Sequence, residues 1–231
     1  MSRGIGVVGR IQELIPDWAA IFVALVTQLG DVWFLAVLVG GLYWLYADER
    51  EDMTVIAGLA LAGFGLITTL KHVFALPRPD QPLVALEALP VVLQPLYEVT
   101  ATASSYGFPS GHALITTVVY GSLARRLSIG TPRRRLLAAV TVVTVVCLSR
   151  VALGVHYLVD VVAGVGIGLV FLFVVERLLA RFPTRQRSIA FSLAVVVSAV
   201  ALVASAADPD AVLLLASSVG VFGGWHLTRA R

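Results

Sequence analysis

Cysteine, lysine and charge are all scarce in this chain. The one cysteine, Cys147, lies in the middle of an apolar run, which excludes an intramolecular disulfide and leaves no basis for a thiolate metal centre. Charged residues make up 13% of the 231 positions, against 58% apolar, and the mean hydropathy is +0.92. A soluble domain carries roughly a quarter charged residues, so a soluble globular fold is excluded. What is present instead is a series of apolar runs approaching the roughly 20 residues needed to cross a bilayer core. The expected fold is all-α, a polytopic transmembrane helical bundle of about six to seven spans with no room for a soluble domain beside them.

The net charge of +3 and sequence pI near 9.3 raise the question of nucleic acid, and the positions of the arginines answer it. Arg125, Arg126, Arg133, Arg134 and Arg135 flank one short loop, and Arg177, Arg181, Arg185 and Arg187 flank another. That is the pattern of loops retained on the cytoplasmic side of a membrane, where anionic lipid headgroups are the partners. No nucleic acid is expected. The opening MSRGIGVVGR lacks an apolar core of signal-peptide length, so no cleaved leader is expected.

The chain divides into an N-terminal interfacial segment (1–30), a catalytic transmembrane core (31–180) and C-terminal transmembrane helices (181–231). In the first, Ile11, Leu14, Ile15, Trp18, Phe22, Leu25, Val26 and Leu29 recur at helical spacing and suggest a helix lying along the membrane; the alternative is that it lengthens the first span. Spans follow at about Val32–Tyr46, Met53–Leu76, Ser110–Leu127, Leu136–Leu153, Tyr157–Leu179, Ile189–Ala206 and Ala211–Leu227. Pro77 and Pro79 stop the second. Gly164 and Gly168 in the fifth have the small-xxx-small spacing of closely packed helices. Residues 80–108 form a long proline-containing connection, expected to cap the site. With seven spans, nearly all the arginines outside the polar stretches fall on one side, Arg3 and Arg10 excepted. The asymmetry places the polar stretches on the extracytoplasmic face of the cell membrane.

Those stretches carry the chemistry. The first is Lys71-His-Val-Phe-Ala-Leu-Pro-Arg78-Pro79. Lys71 is the only lysine, every other Lys/Arg position being arginine, which hints at a need for a compact point charge; snorkelling of a span-end lysine is the bland alternative. Arg78, held between prolines, has a fork suited to bidentate phosphate binding. The second is Pro109-Ser110-Gly111-His112, where Ser110 suits an N-cap, Gly111 permits close backbone approach and the helix start favours an anion. The third is Ser149-Arg150, followed by His156 and Asp160 four residues apart on one helix face, where a carboxylate fixes the imidazole tautomer. A structural His–Asp pair is the alternative there. His72 and His226 are read as lining or interfacial, and Asp31, Asp80, Glu87 and Glu98 carry no assignment. Four scattered histidines make no metal site.

Together the three stretches resemble the tripartite signature of the type-2 phosphatidic acid phosphatase superfamily, which is related to the vanadium haloperoxidases. All three parts match, across residues 71–160. The resemblance implies a metal- and cofactor-independent lipid phosphatase acting on a lipid phosphate. It implies His156 as the nucleophile forming a phosphohistidine, Asp160 as its orienting partner, and His112 as proton donor to the leaving group. Lys71, Arg78, Arg150, Ser110 and Gly111 would hold the phosphate. Polyprenyl diphosphate, phosphatidate and phosphatidylglycerol phosphate are the candidate substrates. A phosphotransferase using the same intermediate is the enzymatic alternative, and a non-catalytic lipid-phosphate binder or transporter is the alternative of another class. Outside the signature the chain departs from the familiar outline of two spans before the first motif and an even total.

Overall fold

The computed structural model describes residues 4, 6–79, 81–101 and 105–229. Arg3, Asp80 and Arg231 lie outside the described residues, as do the side chains of His226 and Arg229. The described residues form helices and connections without strands: α1 (Val7–Gln12), α2 (Ala20–Thr27), α3 (Val32–Leu45), α4 (Arg50–Phe74), α5 (Gln94–Ala101), α6 (Gly111–Arg126), α7 (Pro132–Ala152), α8 (Leu158–Arg181), α9 (Gln186–Ala204) and α10 (Pro209–Arg229). Four of these, α4, α7, α8 and α9, are long and apolar enough to cross a membrane. A fifth crossing arises if the segment 17–30 and α3, bent by 54° at their junction, count as one.

Local chemistry explains the boundaries. α4 ends where Ala75 turns into the left-handed region at φ 48, just ahead of Pro77 and Pro79, which cannot continue a helix. α7 starts earlier than the apolar run suggests, because Thr131 caps it by accepting from the Arg134 N–H and Pro132 occupies its first turn. α8 starts at Tyr157, whose N–H donates to the Asp160 carboxylate at 2.9 Å.

The core centres on α4 and α6. Met53, Ile56, Leu59 and Ile67 of α4 pack with Leu114, Ile115 and Val118 of α6, and Leu172 and Val175 of α8 join them. α6 and α8 approach until their backbones nearly touch: a Cβ on Gly164 would lie 2.6 Å from the Ser110 carbonyl, and one on Gly168 would lie 3.0 Å from that of Leu114. The outward faces of α7, α8 and α9 remain apolar and exposed, through Leu137, Val140, Val170, Phe173, Val196 and Val200 among others, as a lipid-facing surface requires.

The N-terminal segment, expected along the membrane surface, turns one face inward. Ala20 and Ala24 of α2 bury against Val84, Leu89, Tyr97, Leu153 and Val155, so α2, the 81–101 connection and the α7–α8 turn make one cluster beside the site. Gln12 of α1 donates to the carbonyls of Gln81 and Ala152.

At the opposite end, Arg126 ties four helices. It meets Glu176 of α8 with two parallel N–H bonds at 3.0 Å and donates to Asp52 of α4 at 2.8 Å and to Gln186 of α9 at 3.0 Å. Its side chain is only 9% exposed. Arg126 is therefore an internal strut rather than one of the free loop charges. Its neighbour Arg125 is exposed. Removing one partner of such a buried network leaves the others uncompensated. Arg126→Ala is expected to cost about 2–4 kcal/mol, read as a clear drop in unfolding temperature in detergent, whereas Arg125→Ala leaves it nearly unchanged.

Candidate functional site

Helix ends deliver the three polar stretches to one place. Lys71 lies in the last turn of α4, and its Nζ donates to Ser105 Oγ at 2.9 Å. A Cβ on Gly111 would come to 3.9 Å of that Nζ, so the first and second stretches are adjacent. Ser110 caps α6 loosely, accepting from Ala113 N–H at 3.5 Å, while its own N–H donates to the Asp160 carbonyl at 2.9 Å. That bond joins the second stretch to the third.

Arg78 is the hub. Its Nε donates to the Ser105 carbonyl at 2.6 Å, its Nη1 to the Val155 carbonyl at 2.9 Å, and its Nη2 to Ser105 Oγ at 3.3 Å. Nη1 also lies 3.0 Å from His156 Nε2. A guanidinium can only donate, so Nε2 accepts and the ring proton belongs on Nδ1. That atom lies 3.6 Å from Asp160 Oδ2, and both side chains are closed to solvent. His156 is held well below its usual 6.5 by burial first, and then by Arg78, Arg150, Lys71 and His112. It is a neutral imidazole at neutral pH. Burial also lowers Arg78, to about 10 against an opposing pull from Asp160, which leaves it protonated at neutral pH.

Arg150 ends α7 behind this group. It is 3% exposed, donates to Thr27 Oγ1 at 2.9 Å, and its Nε is buried without a partner among the described residues. His112, on the first turn of α6, has Nε2 2.9 Å from Asp31 Oδ1, with the carboxylate off the ideal hydrogen-bond direction. A polar cavity of about 870 Å³ is lined by Asp31, Lys71, Arg78, Ser105, Gly111 and His112 among others. His156, Arg150 and Asp160 are not on its wall; they sit behind Arg78. His72 lines the cavity and stacks edge-on with Tyr106.

Lys71, Arg78, Ser110, Gly111, His112, Arg150, His156 and Asp160 thus converge, although they come from four helix ends and two loops. Sequence reasoning did not name Thr27 or Ser105, and it named Asp31 without assigning it a role. Asp31 carried a signal: it precedes α3 in the N-cap position yet makes no capping bond, so its carboxylate is directed elsewhere. Among the described residues no three His, Cys, Asp or Glu side chains are grouped to hold a metal ion. Clustered cations, an unpartnered buried guanidinium N–H and a helix start suit an oxyanion of high charge. Inorganic phosphate is expected to bind, and Arg78→Lys, which cannot reproduce the fork, to weaken it about 10- to 100-fold, as measured by calorimetric titration.

Comparison with known proteins gives this geometry a context. The family model described as the PAP2 superfamily matches residues 53–184. The decaprenylphosphoryl-5-phosphoribose phosphatase of Mycobacterium tuberculosis (strain ATCC 25618 / H37Rv) is 30% identical over 136 residues, covering 59% of this chain and 65% of that protein. Phosphatidylglycerophosphatase B of Bacillus subtilis (strain 168) is 34% identical over 79 residues, 32% of this chain and 39% of that one. The match therefore spans just under two thirds of the mycobacterial relative's length. Among solved structures, a transmembrane PAP2 type phosphatidylglycerolphosphate phosphatase from Bacillus subtilis superposes with TM-score 0.58 at 24% identity, over 76% of this chain and 84% of that one. LpxE of Aquifex aeolicus gives 0.55 at 18% identity, over 75% and 94%. Both share the fold.

Proposed function

Because the chain belongs to the PAP2 superfamily, we propose that it is an integral-membrane phosphatase that hydrolyses the phosphate or diphosphate ester of a lipid. The observation that carries this reading is the contact of Arg78 with His156 Nε2. It leaves a neutral imidazole lone pair facing a cation while the other ring nitrogen faces a carboxylate, which is the state a nucleophilic histidine needs.

The steps follow from the side chains. The substrate phosphate enters the cavity and takes over donors of Lys71 and Arg78, drawing Arg78 Nη1 away from Nε2. Nε2 then attacks phosphorus, and the bond from phosphorus to the lipid oxygen breaks. His112 gives its proton to that oxygen, the lipid alcohol (or lipid phosphate, for a diphosphate) departs, and the phosphoryl group remains on His156. His112, now neutral, takes a proton from a water that attacks phosphorus, which releases inorganic phosphate and restores Nε2. Lys71, Arg78, Arg150, Ser110 and the Gly111 N–H offset the charge on the phosphoryl oxygens throughout. Asp160 keeps the His156 proton on Nδ1. Asp31 positions His112 through the 2.9 Å approach of its Oδ1 to Nε2.

The same reading orders the membrane. α2 with α3 as one broken crossing, together with α4, α6, α7, α8, α9 and α10, makes seven segments. All three polar stretches then lie at one end. Arg50, Arg125, Arg133, Arg134, Arg135, Arg181, Arg185 and Arg187 lie at the other, which supports an extracytoplasmic site in the cell membrane.

Phosphate release from a lipid phosphate by purified protein, with EDTA present, tests the activity. His156→Ala is expected to bring release to background, and residual turnover contradicts its role. His112→Ala is expected to slow release by about 10²–10⁴. Asp31→Asn is expected to lose more rate with alkyl phosphates than with aryl phosphates, whose leaving groups need no proton; an equal loss on both reduces Asp31 to a structural part. Protonating His156 removes the nucleophile, and its pKa in the free protein is depressed. The acid limb of kcat/KM should therefore fall below pH 6.5, and move upward in Arg78→Ala as one of the cations holding it down is removed.

A further inference from the structure

We propose that the cleft bounded by α3, α4 and α10 holds the hydrocarbon tail of the lipid whose phosphate occupies the cationic site. The proposal rests on the phosphatase reading above and extends it to the part of the substrate that does not react. The cleft encloses about 860 Å³, the size of a site for a single ligand.

Its floor is one face of α4 running from Met53 to Thr68 and including Ala57, Ala60 and Phe64. At 1.5 Å per residue that face is about 22 Å long, against roughly 30 Å for the whole hydrocarbon core. Val32, Ala36, Gly40 and Tyr43 form the α3 wall, and Leu214, Ser217 and Val221 the α10 wall. Each set recurs at three- and four-residue spacing, so each wall is a single helix face. The trough is therefore long, narrow and parallel to the helices, the form of an extended chain.

Continuity with the cationic site decides which chain lies there. Val32, Phe64, Thr68 and Asp210 line both the polar cavity and the apolar cleft. The space around Lys71 and Arg78 opens directly into the trough, and the joined surface is polar at the end where the phosphate sits. Those two halves match the two halves of one amphiphile. α3 and α10 both lie outside residues 53–184, the stretch matched by the family model, so both walls are supplied from outside that stretch. A tail that leaves the bilayer for this trough gains little by transfer, because lipid is already apolar. The trough acts by alignment, presenting the ester oxygen to His112 in one orientation.

Gly40 and Gly41 of α3 provide a matched test. A Cβ at either meets nothing within 4 Å, and of the two only Gly40 lines the cleft. Gly40→Leu fills the trough, and Gly41→Leu places the same bulk outside it. The quantity to measure is the ratio of kcat/KM for a long-chain alkyl phosphate in vesicles to that for a short water-soluble alkyl phosphate. The ratio is expected to fall at least about tenfold in Gly40→Leu and to hold in Gly41→Leu; equal ratios in the two variants overturn the proposal. A long-chain alkyl phosphonate, which is not hydrolysed, carrying a diazirine at mid-chain gives a readout without turnover. Photo-adducts on the facing residues of α3 and α10 support the tail site, and adducts confined to the outer faces of α7 and α8 overturn it. Adducts in the trough without phosphate release from any lipid would sink the hydrolase reading and leave the tail site standing.

Discussion

Arg78, Lys71 and Arg150 are packed close around an imidazole that Arg78 touches at 3.0 Å, and that accumulation of positive charge is the constraint on which the architecture depends. Like charges in a poorly solvated site repel strongly; among the described residues Asp31 faces His112 and Asp160 faces His156, and Asp208 and Asp210 line the same cavity as Lys71 and Arg78. The resting protein copes by turning each cation toward oxygens: Lys71 to Ser105, Arg78 to the Ser105 and Val155 carbonyls, Arg150 to Thr27. Of these acceptors, Val155 belongs to the third polar stretch and Ser105 lies four residues ahead of the second, whereas Thr27 comes from far along the chain. A site of this kind has to be held closed by forces generated elsewhere. The α4–α6–α8 core and the Arg126 strut at the far end supply them.

Much of this was legible in the chain, and the exceptions have physical causes. Hydropathy alone located the long helices to within a few residues, since apolar runs of that length have few alternatives near a bilayer. The largest boundary difference, at α7, arose because three arginines occupy its first turn, where a hydropathy reading sees loop although Thr131 and Pro132 mark a helix start. The eight residues of the three stretches could be singled out because each stretch is short in sequence, and the structure brings them together. Thr27 and Asp31 were not assigned, because their partners are Arg150 and His112, far along the chain, and nothing local marks a threonine near a helix end. Arg126 was read as a loop charge. The missed clue was Glu176, a carboxylate following a long apolar run of α8, which requires a partner at its own depth.

Shared and individual features separate along the sequence. The stretch matched by the superfamily model, residues 53–184, contains Lys71 through Asp160 and with them the imidazoles and cations. The flanking segments approach the same site from outside it. The N-terminal part brings Thr27 to Arg150 and Asp31 to His112, and the C-terminal part brings Asp208 and Asp210 to the cavity rim and α10 to the cleft.

On the proposed mechanism, the placement of the two histidines suits the geometry of displacement at phosphorus. The attacking and departing groups must approach and leave in line, on opposite sides of the phosphorus atom. His156 sits behind Arg78, off the cavity wall, whereas His112 lies on it. Val32, next in the chain to the Asp31 that meets His112, lines the polar cavity and the apolar cleft alike. On the roles proposed above, His112 as proton donor would stand on the side toward the cleft, and His156 as nucleophile on the side away from it. A phosphate seated among the cations with its tail in the cleft would turn its ester oxygen toward His112 and its opposite face toward Nε2. That single orientation unites the placement of the N-terminal carboxylate, the burial of His156 and the course of the trough.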